Sequence, residues 1–201
     1  MKKYELTAEF IEKWGKKLFR IKALISFGSV EAGELGGYIE KEDNLAHDGN
    51  AWVSGDARVS GNARVSGNAW VYGDAEVYGN ARVSGNARVS GDARVSGNAW
   101  VYGNARVYGD AEVSGNADYL LIGRIGSRFS FTTFFKNKDK GITVSCGCFL
   151  GTIAEFRAKV TDTHGNNKHA KIYNLAADMA ELQILGEEHF DKLNTNKSES
   201  F

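Results

Sequence analysis

From Asn50 the chain reads NAWVSG, DARVSG, NARVSG, NAWVYG, DAEVYG and continues in units of six residues to NADYLL. Any fold for this chain has to bury that period. Ala and Val alternate with variable residues, the pattern of a strand with one buried face. A Gly followed by Asn or Asp separates the strands and predicts a corner, because these residues tolerate positive φ. Val53, Val59, Val65 and every sixth residue on to Val113 are then expected to stack as the apolar core.

A longer period lies inside the short one. The corner residue is Asp only at 56, 74, 92 and 110, an 18-residue spacing, and Asn at the other repeat corners. Three units therefore make one coil, and the coils stack as a triangular prism. Nearly four such coils, at about 4.8 Å each, predict a rod roughly 19 Å tall. A flat sheet of hairpins would not place Asp at every third corner.

With this coil the outward residues fall into columns. Face one holds Trp52, Trp70, Arg88 and Arg106, flanked by Ser54, Tyr72, Ser90 and Tyr108. Face two alternates Arg58, Glu76, Arg94 and Glu112, a ladder suited to solubility and register. Face three holds Arg64, Arg82, Trp100 and Asp118, beside Tyr102. Stacked Trp, Tyr and Arg on face one is the composition of binding hot spots. Three readings of it stand open: a subunit or protein interface, a platform for a base and its phosphate, or rings and guanidiniums that stack on one another and stabilise the solenoid. The Asp column is sparse for calcium, which takes six to eight oxygens, and reads as corner residues satisfying local backbone N–H groups.

The repeat resembles the hexapeptide-repeat superfamily, which folds as a left-handed parallel β-helix and includes acyltransferases and trimeric carbonic anhydrases. Val-Ser-Gly-Asn-Ala-Arg fits its pattern except that Ser or Tyr follows the aliphatic residue. The left hand is implied by the resemblance alone. The histidines that serve those enzymes have no counterpart, since residues 50–118 contain none. KYELT, LFRIKAL, FGSVEAGELGGYIE and the following Asn-Leu resemble the opening of hexapeptide-repeat proteins of phages and prophages. The stretch from IGSR through CGCF to THGNN resembles a small module of phage-type proteins.

Outside the coils, residues 2–25 alternate as a hairpin, and Leu35, Ile39 and Leu45 are expected to seal the open end of the solenoid. FSFTTFF and GITVSCGCF read as two strands. Thr152 and Glu155 have capping-box spacing and predict a helix that ends at Gly165 and buries Ile153, Phe156 and Val160. A second helix from about Lys168 to Leu185 is expected to bury a stripe of Ile172, Leu175, Ala176 and Met179. The same module gathers the only clustered chemistry. Ser127 and Arg128, with Thr132 and Thr133, make a polar patch. Cys146, Cys148, His164 and His169 read as core thiols, as a zinc set with a shortened cysteine pair, or as a reactive thiol near His164. On one straight strand the two cysteines would sit roughly 6.5–7 Å apart, at or beyond the limit for a disulfide, and they are expected to be reduced.

Lys plus Arg equals Asp plus Glu at 25 each, which removes the net field that duplex DNA binding uses. No apolar run follows the two N-terminal lysines as in a signal peptide, and none reaches the length of a membrane span. The expectation is a mainly β protein with a cap over 1–49, a β-helix over 50–118, an α+β module over 119–190 and a disordered tail over 191–201. It is expected to work as a cytoplasmic, homo-oligomeric, non-enzymatic binding protein of a phage or prophage. Its expected partner is a host immune protein or its nucleotide signal, with no cofactor, no duplex DNA and no membrane. An enzyme confined to the C-terminal module and an inert virion spacer are the alternatives.

Overall fold

The computed structural model describes residues 2–189 and 191, so the tail expected over 191–201 lies, Asp191 apart, outside the described residues. The chain divides into two units, Met1–Asn116 and Ala117–Phe201. No helix among the described residues is long and apolar enough to cross a membrane.

The first unit opens with β1 (Tyr4–Lys13), β2 (Lys16–Ala23) and β3 (Leu35–Ile39). Eleven two-residue strands then carry the repeat: β4 (Trp52–Val53), β5 (Arg58–Val59), β6 (Arg64–Val65), β7 (Trp70–Val71), β8 (Glu76–Val77), β9 (Arg82–Val83), β10 (Arg88–Val89), β11 (Arg94–Val95), β12 (Trp100–Val101), β13 (Arg106–Val107) and β14 (Glu112–Val113). They form three parallel stacks, β4-β7-β10-β13, β5-β8-β11-β14 and β6-β9-β12, each joining residues 18 apart. The chain is a β-solenoid with three strands to a turn. Its interior is the valine column, with the alanines beside it, and every one of these side chains is buried.

Backbone hydrogen bonds run from each coil to the next, as from Ser54 N to Val71 O at 2.9 Å and from Tyr72 N to Val89 O at 3.0 Å. The corners divide labour differently from the sequence expectation. Only the glycines take positive φ there, and the Asn and Asp that follow do not. The asparagines instead form side-chain ladders, Asn50 to Asn68 at 3.1 Å and Asn62 to Asn80 to Asn98 at 3.2 Å per step. An amide can donate up the stack and accept from below, which a carboxylate cannot.

The solenoid starts one turn before its repeat becomes visible. Ile39 pairs with Val59 and Leu45 with Val65, each 20 residues on, whereas Val53 pairs with Val71 at 18. Two extra residues therefore sit in the corner around His47. Ile39 and Leu45 are buried in valine positions, as expected of a seal, but Leu35 is 47% exposed and seals nothing. It sits at the outer end of β3, opposite Lys22. The hairpin β1–β2 turns on Trp14 and Gly15, both at positive φ, and β2 extends the β3-β5 stack antiparallel.

Carbonyls of the first coil are closed by side chains from the cap, as buried acceptors require. Lys3 Nζ donates to Ala51 O at 2.9 Å and Gly49 O at 3.3 Å. The Tyr4 hydroxyl donates to Leu45 O and Glu42 O, both at 2.8 Å. Burial lowers the Lys3 ammonium to a pKa of about 8, with nearby Asp48 opposing part of the shift. Burial, with Glu42 and Asp43 adding to it, raises Tyr4 well above its usual range.

In the second unit β15 (Tyr119–Ile125), β16 (Ser130–Lys136), β17 (Ile142–Cys146) and β18 (Phe149–Thr152) make an antiparallel sheet in that order. The sequence reading had two of these strands. It placed β15 partly in the repeat and ran β17 and β18 together. Asp118 accordingly leaves the face-three column, lies in a 3-10 turn over Asn116–Asp118, and pairs with Lys136 at 3.5 Å. Helix α1 (Ile153–His164) starts on the Thr152–Glu155 capping box and ends at Gly165, and α2 (Lys168–Leu185) starts on Asn167. Phe156 and Val160 are buried and Ile153 partly so. The buried stripe of α2 is Ala170, Tyr173, Ala176, Ala177 and Ala180, not the larger residues expected there. Leu175 and Met179 are 63% and 57% exposed, because small residues let α2 lie close to the sheet and to α1.

Two measurements test these elements. Unfolded chains keep the Lys3 proton up to about pH 10.5, but the folded chain releases it near 8. The unfolded state then binds more protons in that window, and stability rises with pH across it. Tyr4 acts oppositely above its ordinary value of 10.0, since unfolded tyrosine ionises there and the buried one does not. Chemical denaturation should show a gain on the order of 2 kcal/mol from pH 8 toward 10, then a decline. Lys3→Met should abolish the gain. Separately, a Cβ on Gly85 (φ +68) would lie 2.9 Å from Gly103 N, while one on Gly109 (φ +66) meets nothing within 4 Å. Gly85→Ala should cost about 2–4 kcal/mol and Gly109→Ala about 1–2 kcal/mol by urea unfolding.

Candidate functional site

In-register stacking places the outward residues of each face directly above one another, so the face-one column assembles as its spacing predicts, with one exception. Trp52 pairs with Trp70 in the ladder but is fully buried. Phe27 packs on its ring at 5.4 Å and Tyr4 at 6.4 Å. The segment before the coils covers it, and nothing in the repeat itself signals this. Trp52 is part of the core and leaves the binding surface.

The remaining face-one residues come together. Trp70 and Tyr72 are half-buried and Arg88 is exposed, and with Gly28, Ser29 and Ser54 they line a cavity of about 400 Å³. Its wall is a tight turn in which Phe27 and Val30 exchange backbone hydrogen bonds of 2.9 and 3.0 Å, with Gly28 at φ +55. Gly28 and Ser29 carried no repeat signal and were missed by the sequence reading. Among the described residues no carboxylate pairs with Arg88. Arg106 stands opposite it on the next rung.

Tyr72 and Tyr108 are two coils apart, with the buried Ser90 between them. The small Ser90 lets the two hydroxyls hydrogen-bond across its rung. Burial first, and then Tyr72, raises the Tyr108 pKa, while Arg106 and Arg88 pull it down. Tyr108 thus braces Tyr72 and does not line the cavity. Face two is spent internally: Glu76, buried, takes Lys13 at 2.7 Å, Arg58 at 3.3 Å and Arg94 at 3.6 Å.

The C-terminal unit gathers Ser127, Arg128, Cys146, Cys148 and His164 around one cavity of about 240 Å³, with Lys159 and Tyr173. Lys159 and Tyr173 were not singled out from the sequence. Tyr173 lies on the buried stripe of α2 and Lys159 is exposed on α1, and the spacing of neither points to a shared cavity. His169 does not line the cavity; its ring lies 5.8 Å from that of His164. Cys148 is exposed in the turn after β17, so the two sulfurs do not share one strand face. Among the described residues no group of three or more His, Cys, Asp or Glu is placed to hold a metal ion.

The fold and these surfaces define a repeat β-helix protein. Its residues 57–73, 75–91, 87–103 and 99–115 match the model of the YdcK β-solenoid repeat. Those matches lie within the coils and do not reach the C-terminal unit. No curated protein matches the chain.

The two tryptophans at one ladder step should behave oppositely. Trp52→Ala should cost about 3–5 kcal/mol of stability, as for other buried aromatic truncations, and Trp70→Ala under about 1.5 kcal/mol. Urea unfolding of the two variants checks this.

Proposed function

We propose that this chain is a non-enzymatic binding protein, encoded by a phage or prophage, whose first face sequesters a nucleotide signal of host defence. One observation carries the proposal. Trp70, Tyr72 and Arg88 converge on one cavity, and no carboxylate among the described residues pairs with Arg88. An indole face stacks on a base of any sequence, and a guanidinium takes a phosphate through paired hydrogen bonds. Ser29 and Ser54 add hydroxyls to the same cavity. Trp70 and Tyr72 are already half-buried between the solenoid and the Phe27–Val30 turn, so they need less ordering on binding than the exposed Arg88.

The phage setting is supported by the resemblance of the segments before and after the coils, and it brings with it a left-handed hexapeptide-repeat helix and a place in the host cytoplasm. Assembly as a homo-oligomer is supported by the exposed Leu175, Met179 and Leu182 on one side of α2, an apolar stripe that a monomer would leave wet.

Isothermal titration with mononucleotides and with cyclic di- and trinucleotides tests the ligand class. Micromolar binding of at least one is expected, weakened about tenfold or more in Arg88→Glu and in Trp70→Ala. Absence of binding by all of them at millimolar concentration would sink nucleotide sequestration. Capture of a host defence protein that depends on the same two residues would then assign the face to protein docking.

A further inference from the structure

The C-terminal unit holds a second site, independent of the solenoid face, in the turn between β17 and β18. Cys146 ends β17 and pairs with Phe149, the first residue of β18. Gly147, at φ +62, and Cys148 form the two-residue connection between them. Cys146 thus precedes a reversal of the chain and Cys148 lies within it, so the two are not alternate residues of a straight strand. A turn draws such residues closer than the roughly 6.5–7 Å of extended backbone, and so into the range a disulfide spans.

Both thiols open onto the same cavity, Cys148 exposed and Cys146 half-buried. The Cys146 sulfur accepts a hydrogen bond from Thr132 Oγ1 at 3.2 Å, and Thr132 is fully buried. It also meets the Tyr173 hydroxyl, whose pKa rises to about 12, chiefly through burial and next through Cys146. Gly126 makes that contact possible. A Cβ there would fall on the Tyr173 hydroxyl, far inside contact distance. The charged groups lining the cavity are Arg128, Lys159 and the titratable His164, and no carboxylate lines it.

We propose that Cys146 and Cys148 are a redox-active dithiol that exchanges with anionic low-molecular-weight disulfides. Cys148, the accessible thiol, attacks as thiolate on one sulfur of the disulfide. The disulfide bond breaks, a mixed disulfide forms on Cys148, and one small thiolate leaves and takes a proton from water. Cys146, having given its proton to solvent, then attacks the Cys148 sulfur. The mixed disulfide breaks, the Cys146–Cys148 bond forms, and the second small thiolate leaves and is protonated. The chain loses two electrons and two protons, and the small disulfide becomes two thiols. Arg128 and Lys159 attract the carboxylates of the incoming disulfide. The Thr132 and Tyr173 hydroxyls meet the charge on the Cys146 sulfur during exchange.

The full chain, treated with glutathione disulfide, acid-quenched and weighed intact by mass spectrometry, tests this. Wild type should lose two hydrogens and stay monomeric in covalent mass. Cys146→Ser should stop with one glutathione attached at Cys148, and Cys148→Ser should react about tenfold more slowly or worse. Arg128→Glu should slow the reaction with glutathione disulfide about tenfold while leaving that with uncharged 2-hydroxyethyl disulfide unchanged. A wild type that retains glutathione without closing the internal bond would overturn the dithiol. Equal rates for the folded and the urea-unfolded chain would overturn the site. Since Cys148 is exposed, its serine variant folds as wild type does, and its rate decides between the thiols.

Discussion

From Trp70 on, each outward side chain of the solenoid strands is held above its counterpart 18 residues earlier, because the backbone hydrogen bonds between coils and the glycine corners fix the register. The chain has no freedom to slide like charges apart. A slip by one residue would turn the valine column outward and the charged residues in. Register is therefore enforced by burial, and the surface has to accept whatever the register stacks.

The three faces meet that constraint in different ways. Face two alternates sign along the column, and its ion pairs of 3.3–3.7 Å follow directly. Two of the three corner columns use asparagine, which is complementary to itself when stacked, and the third stacks Asp56, Asp74, Asp92 and Asp110. Faces one and three leave Arg88 on Arg106 and Arg64 on Arg82. Alternation was within reach, since face two has it, so the two arginine pairs are not a necessity of the repeat. On face three, Trp100 caps the column and donates to Ser84 Oγ at 3.0 Å. On face one the aromatic residues lie below the arginines, next to a turn that walls in the space. The column thus passes from rings to guanidiniums along the stack.

The solenoid was legible because its period writes the packing into the sequence. Valine inside, coil length and strand columns all follow from positions that recur. Where recurrence stops, so did the reading. Trp52 has the sequence position of Trp70, yet only the first coil has the cap pressed on it. Ile39 and Leu45 occupy valine positions without the Gly-Asn corners that advertise them, and two inserted residues near His47 hide the period further. In α2 the helical stripe of Ile172, Leu175, Ala176 and Met179 holds only at Ala176, which is buried, because the neighbouring alanines permit the closer approach. Cys148 was assigned to a strand because nothing in GITVSCGCF separates a glycine within a strand from one that turns it. The capping boxes and the helix ends were legible because each is a local hydrogen-bond problem with a local solution.

A stacked solenoid is a poor place for chemistry that needs two unlike groups to approach one another. Its residues meet chiefly their own column, near neighbours on adjoining rungs and the hairpin before the coils, so it offers area, repetition and rigidity. The C-terminal unit is built the other way. Its cavity draws on the turn between β15 and β16, on β16, β17, the turn after β17, β18 and both helices, which bring arginine, lysine, histidine, cysteine and tyrosine together. Thr132, Tyr173 and Cys146 converge only because Gly126 leaves room for the phenol. Heterogeneous contacts of that kind let a sulfur, its hydroxyl donors and two cations share one space. A repeated surface and a non-repeating cavity are thus separable features of one chain, each placed where its geometry allows it.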